Sequence, residues 1–334
     1  MEKQKVLEIK DLEVRFLTEE DTVCAVNGID LSINQGESLG LVGETGAGKT
    51  TTCLAIMQLI PDPPGLITKG EITFCGENML QNTEKKNAEI RGKGISMIFQ
   101  DPMTALNPVM TVGEQLMEVV RTHEKLSKAQ AKEKVIRALE IVGVKSDRFN
   151  DYPHQFSGGM KQRVVITMAL LCNPVLLIAD EPTTALDVTI QAQVLELIKN
   201  LQEKTNTAML LVTHDLGVVA ETCDKVAIMY AGEIVEYGTL SHIFSEGAFH
   251  HPYTVGLFNS IPNIKSDAPR LSPISGMMPD PTIPFKGCRF AERCGHCSQR
   301  CRNEKPPYID KDGHHVRCFL FAEEETPGKT EVQA

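Results

Sequence analysis

The eight residues from 43 to 50 have the spacing of a phosphate-binding loop. They read Gly-Glu-Thr-Gly-Ala-Gly-Lys-Thr, follow a short apolar run at 39–42 and precede a helical pattern. Glycines let the backbone turn so that successive N–H groups point at one anion, and a helix N-terminus adds its positive dipole end. The pattern predicts that Lys49 reaches the β- and γ-phosphates of a nucleotide and that Thr50 holds Mg²⁺. The predicted nucleotide-binding residues here are Gly43, Glu44, Thr45, Gly46, Ala47, Gly48, Lys49, Thr50 and Thr51.

Two adjacent carboxylates, Asp180 and Glu181, follow the continuous apolar run 175–179. In open parallel sheets, ligands bind beyond the carboxyl ends of the strands, which is where these side chains are expected. We predict that Asp180 acts on Mg²⁺, directly or through water, and that Glu181 polarises the attacking water as a general base. A pair of capping carboxylates before Pro182 is the alternative, and the presence of Lys49 upstream weakens it.

Gln100 and His214 each end another apolar strand-like run, at 95–99 and 209–212. A lone histidine in this position is more often structural than catalytic. However, the predicted sheet places His214 on the same edge as Asp180, within reach of a γ-phosphate. The amide of Gln100 could contact both Mg²⁺ and the attacking water. We therefore predict that Glu181, His214 and Gln100 form the catalytic set, and that Thr50, Gln100 and Asp180 hold Mg²⁺.

The stretch Ser157-Gly158-Gly159 indicates a second anion-binding helix start. Ser157 has the residue type of an N-cap, and the glycines leave the first N–H groups of the helix accessible. Residue types and spacing show only that a second phosphate-recognition element exists. They do not say which phosphate it meets.

The elements that must position these residues follow a β-α-β-α-β order, which predicts an α/β fold with a parallel sheet. Continuous apolar runs at 175–179, 209–212 and 226–229 are typical of parallel strands covered on both faces. Helical patterns over 189–203 and 215–223 separate them.

Alternating patterns near the N-terminus predict an antiparallel β-subdomain around this core. Its expected strands are 6–9, 12–16, 29–33 and 70–74, with an acidic loop at 18–22. We predict a nucleotide-binding domain over 1–245 with a helical insert at about 101–170, an extended proline-rich connector over 246–287, a small cysteine-rich domain over 288–322 and a mobile tail over 323–334.

The composition is that of an ordinary globular chain, with 334 residues, 42% hydrophobic and 23% charged. The net charge of −10 argues against nucleic acid as a partner, because nucleic-acid binding favours basic surfaces. There is no apolar run of about 18 residues and no basic-then-apolar leader, so we expect a chain that neither spans a membrane nor is exported. Any contact with a membrane would then come through a partner.

The ten cysteines fall into two groups. Five are scattered in apolar surroundings and are expected to be buried thiols: Cys24, Cys53, Cys75, Cys172 and Cys223. The other five lie near the C-terminus, where a metal or iron–sulfur site is more plausible than a disulfide framework: Cys288, Cys294, Cys297, Cys301 and Cys318. Spacing alone favours the pair Cys294 and Cys297, with Cys301 and Cys288, as ligands of zinc.

Residues 157–162, Ser-Gly-Gly-Met-Lys-Gln, resemble the signature sequence of ABC transporter ATPase subunits. The other elements of that family follow in its order over residues 6 to about 240: the phosphate loop, Gln100 as the Q-loop, Asp180-Glu181 ending the Walker B strand, Ala185-Leu186-Asp187 as the D-loop and His214 as the switch. The resemblance implies that two subunits pair head to tail, so that each ATP lies between one phosphate loop and the other subunit's signature. The residues implied to act in trans are Ser157, Gly158, Gly159 and Gln162. Phe16 matches the aromatic residue that stacks on adenine.

A narrower resemblance, to the ATPases of oligopeptide/dipeptide importers, extends over the C-terminal third. It is carried by His251-Pro252-Tyr253-Thr254, by residues 101–108, by residues 287–290 and by Arg293-Cys294. It implies an ATPase subunit at the cytoplasmic face of the membrane that energises peptide import. The implied partners are a second, related ATPase chain, two permease subunits and, indirectly, an extracytoplasmic peptide-binding protein. Nickel importers share much of this tail, so nickel import remains the alternative.

The importer family also implies a metal site in this tail. Four of its cysteines match Cys288, Cys294, Cys301 and Cys318 and can hold a [4Fe–4S] cluster, with Cys297 as an extra thiol. The ligand set implied by the resemblance includes Cys318 and leaves out Cys297. The set favoured by spacing includes Cys297 and leaves out Cys318. Structural Zn²⁺ stays open as the alternative to the cluster.

Overall fold

The computed structural model describes residues 4–100, 105–183, 188–245, 247, 249–260 and 274–322. Within this part of the chain a larger sheet carries the predicted parallel core. Its strands are β3 (Ser38–Val42), β6 (Ile95–Ile98), β7 (Leu176–Asp180), β8 (Ala208–Thr213), β9 (Lys225–Tyr230), β10 (Glu233–Thr239), β11 (Tyr308–Lys311) and β12 (His314–Arg317). Their spatial order is β11-β12-β10-β9-β3-β8-β7-β6. The strands from β9 to β6 are parallel to one another.

The parallel strands bring the predicted chemistry to one edge. Every residue of β3, β7 and β8 is buried, which explains why each reads as a continuous apolar run. In register, Val42 pairs with Thr213 and Asp180 pairs with Val212. The phosphate loop, Glu181 and His214 therefore leave neighbouring strands at the same carboxyl edge. The predicted α/β fold with a parallel sheet is confirmed.

The smaller sheet is antiparallel, with the order β2-β1-β4-β5. Its strands are β1 (Lys5–Leu17), β2 (Thr22–Asn34), β4 (Gly65–Phe74) and β5 (Glu77–Asn78). The prediction of separate strands at 6–9 and 12–16 is wrong, because both belong to β1. The break in the pattern is a bulge at Asp11, whose backbone is left-handed with φ 47° and where the register shifts.

In chain order, six helices of the described ranges are α1 (Lys49–Ile56), α2 (Glu84–Ile90), α3 (Val112–His123), α4 (Lys128–Ile141), α5 (Gly158–Leu170) and α6 (Val188–Thr205). The described part of the predicted helical insert contains helices α3, α4 and α5. Capping boxes at Thr111 and Ser127 fix the starts of α3 and α4. Helix α1 begins at Lys49, within the predicted phosphate-binding loop. Helix α7 (Leu216–Thr222) follows β8 as expected.

The C-terminal region differs most from the predictions. The connector is not wholly extended, because helices α8 (Leu240–Ile243) and α9 (Pro252–Asn259) flank its start. His251 caps α9 and accepts a hydrogen bond from the Tyr253 N–H at 3.1 Å, with proline at the first helical position. The cysteine-bearing segment, which includes α10 (Gln299–Asn303), ends in the hairpin β11–β12, and β12 pairs with β10. The segment thus extends the main sheet, which the sequence did not predict.

The scattered cysteines are only partly buried. Cys53, Cys172 and Cys223 are buried as predicted, whereas Cys24 is half-buried and Cys75 is exposed. Cys75 lies in the turn after β4 with a left-handed backbone, φ 48°, so its apolar neighbours in sequence do not cover it. No helix in the described ranges is both long enough and apolar enough to cross a membrane.

Candidate functional site

The phosphate loop wraps around the Lys49 side chain. Lys49 is buried, and its ammonium donates hydrogen bonds to the carbonyl oxygens of Gly43 at 2.7 Å and Glu44 at 3.0 Å. Burial lowers the pKa of Lys49, while the carboxylates of Glu181 and Asp180 act in the opposite direction. Gly48 has φ 102°, and a Cβ there would lie 2.4 Å from the Ala25 carbonyl oxygen, so this turn requires glycine.

Asp180 lies at the end of β7 with its carboxylate buried beside the loop. Its exposed fraction is 1%, and among the described residues its Oδ1 atom has no hydrogen-bond partner. Burial raises the pKa of Asp180, and a hydrogen bond with the Thr50 side chain opposes that rise. A buried carboxylate oxygen without a partner, next to a hydroxyl group, fits the hard oxygen ligands that Mg²⁺ prefers.

Glu181 contacts the other two predicted catalytic residues, Gln100 and His214. Gln100 Nε2 donates to Glu181 Oε2 at 3.0 Å, and His214 Nδ1 lies 3.3 Å from Oε1. The Glu181 backbone is left-handed with φ 45°, and its N–H donates to the Val212 carbonyl at 2.9 Å. Such a conformation is costly for a non-glycine residue and is typical of functional sites. The structure thus brings all three residues together.

A cavity of about 510 Å³ lies beside Glu181 and the phosphate loop. Gln100 and Glu181 line it together with most of the phosphate loop. Phe16, predicted to stack on adenine, is not among the lining residues, although its cross-strand partner Val23 is. The cavity also has a wall that the sequence did not predict, formed by residues 278–281 and by Arg289. Arg289 lies in the 287–290 motif, but contact with the cavity depends on how that distant segment packs.

The signature residues lie apart from this cavity. The Ser157 hydroxyl accepts a hydrogen bond from the Met160 N–H at 3.4 Å, which confirms the predicted N-cap of α5. Ser157 and Gly158 are exposed and line no part of the cavity. Gln162 is buried, and its side-chain amide donates to the Pro182 carbonyl, next to Glu181. The predicted D-loop residue Asp187 lies outside the described residues.

Four C-terminal cysteines line a second cavity, of about 200 Å³. They are Cys288, Cys294, Cys301 and Cys318, while Cys297 does not line it. Burial raises the pKa of Cys288 to about 12 and that of Cys318 to about 11, and the neighbouring thiols add to both shifts. Cys288 and Cys318 are therefore protonated at neutral pH, and a metal would have to displace those protons.

The class of the protein follows from comparison with known families and structures. Residues 26–184 match the family model for ABC transporters, and residues 235–301 match that for the C-terminal region of oligopeptide/dipeptide transporters. The ATP-binding cassette MJ0796, solved as a dimer bound to ADP and phosphate, is similar with a TM-score of 0.63 and 27% identity over 70% of this chain and 98% of that one. The fold and the site define an ATPase of the ABC transporter class.

Similarity to curated proteins narrows this class. The chain is 51% identical to the oligopeptide transport ATP-binding protein OppD of Bacillus subtilis, over 95% of this chain and 89% of the relative. It is 48% identical to the dipeptide transport ATP-binding protein DppD of the same organism, over 95% of both chains. OppD of Escherichia coli is 47% identical over 96% of this chain and 94% of its own. The chain belongs to the ATP-binding subunits of the oligopeptide/dipeptide ABC transporter family.

Proposed function

We propose that this chain hydrolyses ATP to energise the import of dipeptides or oligopeptides by a membrane ABC complex. The observation that carries the hydrolytic part is the meeting of Gln100 and His214 on Glu181, at the rim of a phosphate-loop cavity. The cargo is supported by the relatives described above, which are named for oligopeptide or dipeptide transport. These names favour peptides over nickel, the alternative.

Each residue of the site has a proposed role in hydrolysis. Lys49 and the loop N–H groups bind the β- and γ-phosphates, and Thr50, Asp180 and Gln100 would hold Mg²⁺, which neutralises phosphate charge when bound. Glu181 accepts a proton from the attacking water as the general base. His214, hydrogen-bonded to Glu181, orients that carboxylate and contacts the γ-phosphate.

We propose that the active unit contains two ATPase chains arranged head to tail. The exposed N-terminus of α5, with Ser157, Gly158 and Gly159, then meets the γ-phosphate bound by the partner's loop. Asp187 contributes at the same interface, and Gln162 links the signature helix to the Pro182 carbonyl. The dimeric cassette MJ0796 supports such a pairing. Phe16, paired with Val23 across β1 and β2, stacks on adenine.

The proposed partners are a second, related ATPase and two permease subunits, which hold the chain at the cytoplasmic face of the membrane. An extracytoplasmic peptide-binding protein acts indirectly, by delivering cargo to the permeases. The net charge of −10 agrees with the absence of nucleic acid from this set.

Co-purification tests this assembly. The chain, its candidate ATPase partner and the two permeases are expressed together with an affinity tag on one permease. We expect the tagged permease to retain both ATPases in equal amounts. Recovery of the permeases without this chain would contradict the assignment.

We also propose that Cys288, Cys294, Cys301 and Cys318 hold a [4Fe–4S] cluster. All four line one cavity, and Cys297 does not. Such a cluster would cross-link the segment and supply a redox-active centre.

Anaerobic purification tests the cluster. We expect about four iron and four sulfide ions per chain with a visible charge-transfer band. Cys301→Ser should lose most of the iron, whereas Cys297→Ser, as the matched control, should keep it. Stoichiometric zinc without iron, or equal loss of iron in both variants, would contradict the proposal.

A further inference from the structure

The C-terminal segment forms one wall of the nucleotide cavity. The Cys24 N–H donates to the Pro281 carbonyl at 2.8 Å, which fixes residues 278–281 along β2. A Cβ built on Gly46 would lie 3.4 Å from the Met278 methyl group, so this methionine covers the phosphate loop. Because these contacts belong to the same chain, the wall is present before any partner subunit binds.

The same segment is bonded to the phosphate loop itself. The guanidinium of Arg293 donates to Glu44 Oε2 at 2.9 Å, and its Nε donates to the Ser275 carbonyl at 2.9 Å. The Glu44 N–H donates to the Tyr253 hydroxyl at 3.0 Å. The C-terminal segment is therefore hydrogen-bonded to the phosphate loop.

Arg289 is the charged residue of this wall. Only 8% of it is exposed, yet among the described residues its buried Nε atom has no hydrogen-bond partner. The nearest carboxylate oxygen, on Glu233, lies 3.7 Å away, beyond hydrogen-bond distance. Burial lowers the pKa of Arg289, but a guanidinium stays charged in proteins. The long ion pair with Glu233 leaves this buried guanidinium incompletely compensated, which favours a further anion beside it.

Glu233 cannot supply that compensation, because three cations share it. Lys305 lies 3.0 Å from Glu233 Oε1, and Arg317 lies 3.7 Å from Oε2. The Nε and Nη1 atoms of Arg317 also have no hydrogen-bond partner among the described residues. This side of the cavity therefore carries an excess of positive charge that one carboxylate does not balance.

The charged surroundings of Arg289 place it away from the γ-phosphate end. The charged or ionisable groups that act on its pKa are Glu233, Cys24 and Arg15, whereas those acting on Lys49 include Glu181 and Asp180. Arg289 thus borders the cavity together with Cys24 of β2 and residues 278–281.

We propose that Arg289 binds the α-phosphate of the nucleotide, so that the C-terminal segment contributes to the nucleotide site of its own chain. This inference rests on the proposed function, because it assumes that the cavity binds ATP. A guanidinium offers paired N–H donors that match phosphate oxygens. Since the α-phosphate is common to ATP and ADP, Arg289 stabilises both nucleotides equally and does not report on hydrolysis.

Titration calorimetry of the purified full-length chain with Mg-ADP and Mg-ATP tests the proposal. We expect Arg289→Gln to weaken both nucleotides by about 10- to 100-fold, the value of a hydrogen bond to a charged group. Lys305→Gln removes another cation from Glu233 but does not line the cavity, so this matched control should bind as the wild type does. The thermal midpoint without nucleotide serves as the measure of folding.

The outcomes separate this inference from the function on which it rests. ADP affinity of Arg289→Gln within about twofold of wild type would overturn the role of Arg289. If Arg289→Gln does not fold, Arg289→Lys keeps the charge beside Glu233 but loses the planar pair of donors. It should still bind ADP several-fold more weakly, and unchanged affinity would overturn the proposal. If Lys49→Ala binds ATP as tightly as wild type, the nucleotide site itself is misassigned.

Discussion

Glu181 is the residue on which the proposed chemistry depends. Its carboxylate oxygens are each held by a side chain from a different strand, Gln100 after β6 and His214 after β8. Its own backbone adopts a left-handed conformation directly after β7. These constraints fix the carboxylate in one orientation at the rim of the cavity, which is what a general base requires before the attacking water arrives.

Replacement of this carboxylate by an amide tests its role. Glu181→Gln keeps the size and the hydrogen-bonding oxygen but cannot accept a proton at neutral pH. We expect ATP turnover to fall by about 10² to 10⁴ while ATP affinity stays close to wild type. Steady-state hydrolysis by the assembled complex and equilibrium binding of ATP measure the two quantities. Near-normal turnover would remove Glu181 from this role.

At the scale of elements, the cysteine-bearing segment is held together by a close backbone contact. The Cys288 N–H donates to the Cys301 carbonyl at 2.7 Å, and a Cβ on the preceding Gly287 would lie 2.2 Å from that same oxygen. A side chain on residue 287 would therefore push the backbone at Cys288 away from the backbone at Cys301. Gly295, in the same segment, has no atom within 4 Å of its would-be Cβ.

This pair of glycines gives a matched test of the metal site. Gly287→Ala should lose most of the iron bound by anaerobically purified protein, because the carbonyl of Cys301 must move. Gly295→Ala should retain the iron content of the wild type. Iron per chain, measured by elemental analysis, decides between them. Full iron content in Gly287→Ala would show that this contact does not shape the site.

A buried hydrogen-bonded cluster joins β10 to the start of α9 and to β12. Glu236 Oε1 lies 2.7 Å from His250 Nδ1 and 2.9 Å from His314 Nε2. Burial acts to raise the pKa of Glu236, but these hydrogen bonds outweigh it and lower the pKa to about 2. The hydrogen bond with Glu236 raises the pKa of His250 above its usual 6.5.

The direction of these shifts predicts how stability depends on pH. Because the folded-state pKa of His250 is raised, its charged form stabilises the fold fully below pH 6.5, and this stabilisation is lost as pH rises through the folded-state pKa. We expect His250→Gln to cost about 1 to 3 kcal/mol of unfolding free energy at pH 6 and less at pH 9. Denaturant unfolding of both proteins at the two pH values measures this. A difference that is equal at both would contradict a charged His250.

The elements that the sequence predicted well share one physical property. Strands β3, β7 and β8 are buried on both faces. A continuous apolar run in the sequence is therefore enough to predict each of them. The hairpin β11–β12 has short strands at one edge of the sheet, and the pairing of β12 with β10 joins residues far apart in sequence. Helix α9 was not predicted, because proline usually ends a helix. Pro252 instead occupies the first position of α9, where proline is favourable.

The residues of the site also divide into those that local sequence pattern predicts and those that it does not. The phosphate loop, the carboxylates Asp180 and Glu181, and His214 follow core strands, so their positions could be inferred from local pattern. Arg289 could not, because it reaches the cavity only through the packing of a distant segment over β2. The exclusion of Cys297 from the cysteine cavity likewise depends on backbone direction, which residue spacing does not encode.

For the whole molecule, the proposed mechanism makes this cavity half of a nucleotide site. The loop, Asp180 and Glu181 lie at one place, while the exposed signature residues Ser157 and Gly158 line no part of that cavity. In the proposed dimer, a second chain supplies the signature that completes the site. On this account, ATP closes an interface between two subunits, and hydrolysis reopens it to drive the permeases.

Uptake by the assembled transporter tests this account most directly. The chain, its ATPase partner and the two permeases are reconstituted in proteoliposomes, with the peptide-binding protein and a labelled dipeptide or oligopeptide on the extracytoplasmic side and ATP on the other. We predict ATP-dependent peptide accumulation that is lost when this chain carries Glu181→Gln. Undiminished peptide uptake with that variant, or accumulation of nickel in place of peptide, would contradict it.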